Sequence, residues 1–138
     1  MKKRKPTTAP KKEKVKKDLI TLIREEPTAH RLIELLKPIP EEQWCVRRFT
    51  TLSGQCCFLG HIGVKVDKIP MDAPSRSFFN SVIVEKVRDL TKTFLDKHHK
   101  IDADGASVNN GTHINGYDEE HPKARILHML EDMKAVGY

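Results

Sequence analysis

Between Trp44 and Val66 the chain changes its hydrophobic period, and this change constrains the fold more than any other feature. Up to about Leu52 apolar and polar residues roughly alternate, the pattern of a strand with one buried face. From Gln55 onward the apolar residues are nearly continuous, the pattern of a buried helix. Ser53-Gly54 marks the changeover as a turn. The stretch also holds the only tryptophan, all three cysteines and three of the seven glycines. Whatever the rest of the chain does, it must pack around this segment.

The flanking segments read as helices. Val15, Leu19, Leu22 and Ile23 share one face, which predicts an amphipathic helix from about Glu13. Pro27 either ends it near Glu25 or opens the next helix as its first residue. That second helix runs to about Lys37, with Leu32, Ile33, Leu35 and Leu36 inward, and Pro38 and Pro40 stop it. Pro74 introduces a long helix from about Arg76 to His98, whose stripe is Phe79, Ile83, Val87, Leu90 and Phe94. Ile101 to Asp118 is rich in Gly, Asn and Asp; its Asn-Gly pairs signal turns, with Ile101, Val108 and Ile114 as short-strand residues between them. Pro122 opens a last helix with Ile126, Met129, Leu130 and Met133 inward, closed by Gly137. The expectation is a mainly α, single compact domain over residues 13–138, with a small β-hairpin or short strands from the Trp44–Leu52 and Ile101–Ile114 regions. An α+β domain with a proper sheet is the alternative.

Charge divides the chain differently. Residues 1–17 carry nine Lys or Arg against one Glu, a net of +8, so the other residues carry −2 of the formal +6. Residues 1–12 have almost no aliphatic content and are expected to form a disordered basic arm. Lys2, Lys3, Arg4, Lys5, Lys11, Lys12, Lys14, Lys16 and Lys17 are the candidate nucleic-acid contacts, and an acidic protein surface is the other partner this charge suits. With no aromatic residue to stack on a base, such an arm would grip phosphates without reading sequence. Neutralising roughly five to eight phosphates gives a slope of log K against log salt of about −4 to −7 on duplex DNA. Deleting residues 2–17 is then expected to abolish duplex binding while leaving the fold intact, which anisotropy at two salt concentrations would check.

No apolar run reaches the length of a membrane span, and no apolar region follows the charged N-terminus as in a secretory signal. Three cysteines, two of them adjacent, do not make a disulfide framework, so a reducing, cytoplasmic setting is expected.

Cys57 and His61 lie four apart, on one face of the predicted helix, and Cys56-Cys57 follow Ser-Gly-Gln at its start. A thiolate is favoured there by a nearby imidazolium and by the helix N-terminus. Cys56 or Cys57 as nucleophile, with His61 or with His113 and Asn109, Asn110 or Asn115 from further along, has the logic of a thiol hydrolase. Flanked by Phe58, Leu59 and Ile62, however, the same cysteines read as small core hydrophobes, and this is the preferred reading. Cys45, Cys56, Cys57, His61 and His113 have the donor chemistry for zinc but no structural-zinc spacing, so no metal and no cofactor is expected. Phosphate-binding glycine loops and serine nucleophile elbows are absent from the sequence.

Trp44-Cys45, then Gly54-x-Cys56-Cys57-x-x-Gly60-His61, then Val108-Asn109-Asn110-Gly111 and Pro122-Lys123-Ala124-Arg125-Ile126-Leu127, resemble a family of small uncharacterised bacterial and phage proteins. The likeness covers roughly residues 40–135. The family pattern usually has Asp where this chain has Asn110; if that acid does chemistry in the family, its absence here argues against an enzyme. The resemblance brings no activity with it. The absence of a convincing catalytic set favours a non-enzymatic accessory or structural protein of phage or bacterial origin, acting by protein or nucleic-acid binding, with other subunits of an assembly as further partners. A Cys-dependent hydrolase or transferase, and a sequence-nonspecific nucleic-acid-binding module working through the arm, are the alternatives.

Overall fold

A computed structural model describes residues 17–138; the arm and the start of the first expected helix lie outside these residues. Seven α-helices follow in order: α1 (Leu19–Glu25), α2 (Ala29–Leu36), α3 (Phe58–Val66), α4 (Ser75–Phe79), α5 (Val82–His98), α6 (Gly105–Asn110) and α7 (Pro122–Ala135), with a 3-10 turn at Glu41–Gln43. The mainly helical expectation is met.

Local chemistry sets most of the boundaries. Asp18, Thr28, Ser81 and Asp104 each accept a hydrogen bond from the backbone N–H three residues on, satisfying a helix start that would otherwise lack partners. Pro27 lies in the link between α1 and α2, and the adjacent Thr28 caps α2. Pro122 opens α7, while Gly137, at φ 94°, follows its end. The buried face of α7 is Ile126, Met129, Leu130 and Met133, and α2 packs chiefly against it.

At the centre runs α3. Phe58, Leu59, Gly60, His61, Ile62, Gly63 and Val66 are all buried, so the helix is covered nearly all round. α5 and α1 pack on it, and α6 bridges α3, α5 and α7. Two glycines make this coverage possible. A Cβ on Gly60 would overlap the Phe49 carbonyl, and one on Gly63 would stand 2.6 Å from the Phe78 ring. The 44–56 segment therefore crosses directly over the helix it precedes.

Three local expectations differ from the structure. The Trp44–Leu52 alternation makes no hairpin: it yields only the isolated bridges Trp44–Cys56 and Thr50–Cys56, because both sides of the segment turn around Cys56 rather than pair along a ladder. Ile101–Ile114 holds helix α6 in place of strands. Asp104 caps its start, and Asn110-Gly111 is its left-handed end, Gly111 having φ 67°. The long helix expected from Arg76 is broken into α4 and α5 at Asn80–Ser81, where Ser81 caps the second piece. The break turns Phe79 out of the predicted stripe, and the residue is 58% exposed.

Candidate functional site

Cys57 is the N-cap residue of α3 but makes no capping bond with its side chain. The cap comes from α6 instead. Asn109 Oδ1 accepts from Leu59 N at 2.9 Å, and Asn109 Nδ2 lies 2.9 Å from Cys57 Sγ. One carboxamide thus satisfies an otherwise unpaired α3 amide and donates to the thiol, joining two helices fifty residues apart. Arg125 holds α6 in place: its Nε donates to the Asn110 carbonyl at 2.9 Å, and its Nη1 to the Glu119 and Glu120 carbonyls at 2.8 and 2.7 Å. The loop after α6 is fixed by Tyr117, whose hydroxyl donates to Asp132 at 2.7 Å, while His128 Nδ1 stands 2.6 Å from Glu119 Oε2.

The other sequence-picked residues do not converge on Cys57. Burial pushes the Cys57 thiol up to about 11, with the Gly60 amide and Asn109 pulling the other way. Burial, with the neighbouring thiols, pushes Cys56 up to about 12, and its Sγ lies 3.6 Å from Met71 Sδ. Cys45 is half-buried, its thiol raised by desolvation and donating to the Arg48 carbonyl at 3.4 Å. His113 is exposed. Asn115 is exposed as well. Among the described residues no three His, Cys, Asp or Glu side chains come together as a metal would need. Of the arm's candidate cations, Lys17 is described, and it pairs with Glu25 at 2.6 Å; Lys2, Lys3, Arg4, Lys5, Lys11, Lys12, Lys14 and Lys16 lie outside the described residues.

His61 sits against Trp44, ring centroids 4.5 Å apart, with its Nε2 buried and unpartnered. Burial, reinforced by Lys65, lowers its pKa to about 4. A histidine depressed in this way is neutral when folded, whereas in the unfolded chain it takes up a proton below about pH 6.5. Its contribution is therefore complete above about pH 6.5 and is lost as pH falls towards 4, an effect of about 3 kcal/mol. His61→Phe is expected to flatten this acid loss. Denaturant midpoints at pH 7 and pH 4.5 check it, and an equal acid loss in both proteins would contradict it.

A cleft of about 700 Å3 opens on the other side of Asn109. Its walls are the Arg47–Thr50 segment, the start of α4, one face of α5 and α6, with Leu59 of α3 among them. Arg47, Arg48 and Arg88 line it, and no acidic residue does. Arg47 and Arg48 make no ion pair among the described residues, and Arg88 reaches Glu85 only at 4.0 Å. Phe49 stacks on buried Phe78 at 4.7 Å, and Phe79 meets Phe49 edge-on at 5.1 Å. Asn110 also lines the cleft; the residue is 5% exposed and its side-chain oxygen is buried with no hydrogen-bond partner.

Sequence reading missed this cleft because its parts come from four separate segments. Arg47-Arg48-Phe49 was visible as a basic-aromatic run, but nothing in the sequence joins it to Arg88 or Asn110. No helix among the described residues is long and apolar enough to cross a membrane. No family model, curated protein or solved structure matches the chain.

Proposed function

We propose that the protein acts by binding, as a non-enzymatic accessory or structural protein of phage or bacterial origin, and that the Arg47–Arg48–Arg88 cleft receives an anionic ligand or partner. The observation that carries this reading is the lining of the cleft: three arginines and no acid, in a body that is otherwise net negative. Low-dielectric walls focus such a field on an incoming anion. The basic arm would add sequence-indifferent attraction to phosphates, as its charge alone supports.

The thiol-hydrolase reading draws on the same Cys57 and finds the opposite chemistry. A nucleophilic cysteine needs a lowered pKa and access; Cys57 is fully buried and its thiol is held neutral. Its sulfur and Asn109 serve instead to dock α6, and with it one wall of the cleft, onto α3. Alkylation of the native chain with iodoacetamide at neutral pH, read cysteine by cysteine by mass spectrometry, separates the two readings. Slow labelling of Cys45, with Cys56 and Cys57 silent until denaturant is added, is the expected result. Fast stoichiometric labelling of Cys57 would overturn the binding reading in favour of the enzyme.

A further inference from the structure

The cleft combines arginines with an exposed aromatic residue, and we infer that it binds a nucleoside phosphate, the base against Phe79, the phosphate on Arg47, Arg48 and Arg88. This rests on the binding reading above and names its ligand. The arginines supply the fork-shaped donors that suit phosphate oxygens. Phe79, 58% exposed at the cleft wall, offers an open aromatic ring, while Phe49 and Phe78 are committed to each other at 4.7 Å and 4°. Stacking on such a ring is indifferent to base identity. The volume of about 700 Å3 lies within the range of small-ligand sites and exceeds what a bare phosphate would fill. An acidic peptide would use the arginines and leave the Phe79 ring without a matching group.

Titration calorimetry on the full chain tests the assignment, with AMP, adenosine, pyrophosphate and single-stranded tetra-adenylate as the probes. AMP is expected to bind at least tenfold more tightly than adenosine or pyrophosphate. Phe79→Ala, at an exposed position outside the buried core whose ring meets Phe49 edge-on, is expected to weaken AMP about tenfold or more and leave pyrophosphate unchanged, with an unchanged thermal melt showing that the fold is kept. Arg48→Glu is expected to weaken both. Tetra-adenylate binding no tighter than AMP assigns the site to free nucleotides; binding more than tenfold tighter, and lost in Phe79→Ala with the arm intact, assigns it to a single strand. Pyrophosphate equal to AMP, or AMP unaffected by Phe79→Ala, overturns the proposal and leaves a cleft for simple anions. Failure of AMP and tetra-adenylate alike also overturns it, and points to a protein partner. Neither failure alters the alkylation result, so loss of the ligand assignment stays separate from loss of the binding reading.

Discussion

Trp44→Ala is expected to destabilise the protein by about 3–5 kcal/mol, the range for truncating a buried large aromatic, with a fall in melting temperature on the order of 10–20 °C. Trp44 is the buried end of the 44–56 segment. It bridges to Cys56, packs on the His61 ring and belongs to the main core. Its indole Nε1 is buried without a partner, so the residue contributes through volume and not through a hydrogen bond. Trp44→Phe separates the two contributions. It keeps much of the packing and removes the orphan donor, and is expected to cost well under half as much as Trp44→Ala. Equal losses in the two variants would contradict this account of the residue. Wild-type-like melting of Trp44→Ala would mean that the segment is not anchored there at all.

Gly60→Ala is expected to cost about 3 kcal/mol, the upper end for overpacking a core. The added methyl would overlap the Phe49 carbonyl, which is main chain and cannot rotate aside. The Phe49 carbonyl also accepts from Cys57 N at 3.3 Å, so displacing it loosens the start of α3. The consequence reaches the cleft, because Arg47, Arg48 and Phe49 move with that carbonyl. Gly54→Ala is the control. Gly54 has φ 87° but nothing within 4 Å of an added Cβ, so only backbone strain of about 1–2 kcal/mol is introduced there. Thermal melts of the two variants check the contrast, and a Gly60→Ala protein as stable as Gly54→Ala would contradict the close crossing.

These two residues show how much of the fold was legible in the sequence. The switch of period after Ser53-Gly54 located α3, and the near-continuous apolar run correctly implied a helix buried on most sides. α7 was legible in full, from Pro122 to Gly137, because capping chemistry and a four-residue apolar stripe agreed. Where local signals had two meanings, the strand was wrongly favoured. Asn110-Gly111 serves equally as a hairpin turn or as the left-handed end of a helix, and the Asp104 cap six residues earlier decides for the helix. The alternation before Leu52 belongs to a segment that lies across Gly60, with its pairing confined to bridges at Cys56. Ser81 interrupts an apolar stripe that periodicity alone would carry through from Phe79.

The candidate site was legible only in pieces. Cys57 and Asn109 were both singled out, and the structure brings them together, but as a helix cap with a neutral thiol. His113 was singled out and lies elsewhere. Arg88 carries no signal of its own in the sequence, and Phe79 reads there as part of the apolar stripe. A cleft assembled from residues 47–50, 73–79, 84–88 and 105–110 depends on tertiary contacts that a single sequence does not encode in any local pattern.

The central claim is that the Arg47–Arg48–Arg88 cleft is where the body of this protein binds. Titrating isotope-labelled full-length protein with pyrophosphate, and following every backbone amide by NMR, tests it most directly. Within residues 18–138 the account predicts saturable shifts at residues 47–50, 73–79 and 105–110, abolished by Arg48→Glu. Shifts scattered over the exposed lysines and arginines, with the cleft amides unmoved, would contradict it.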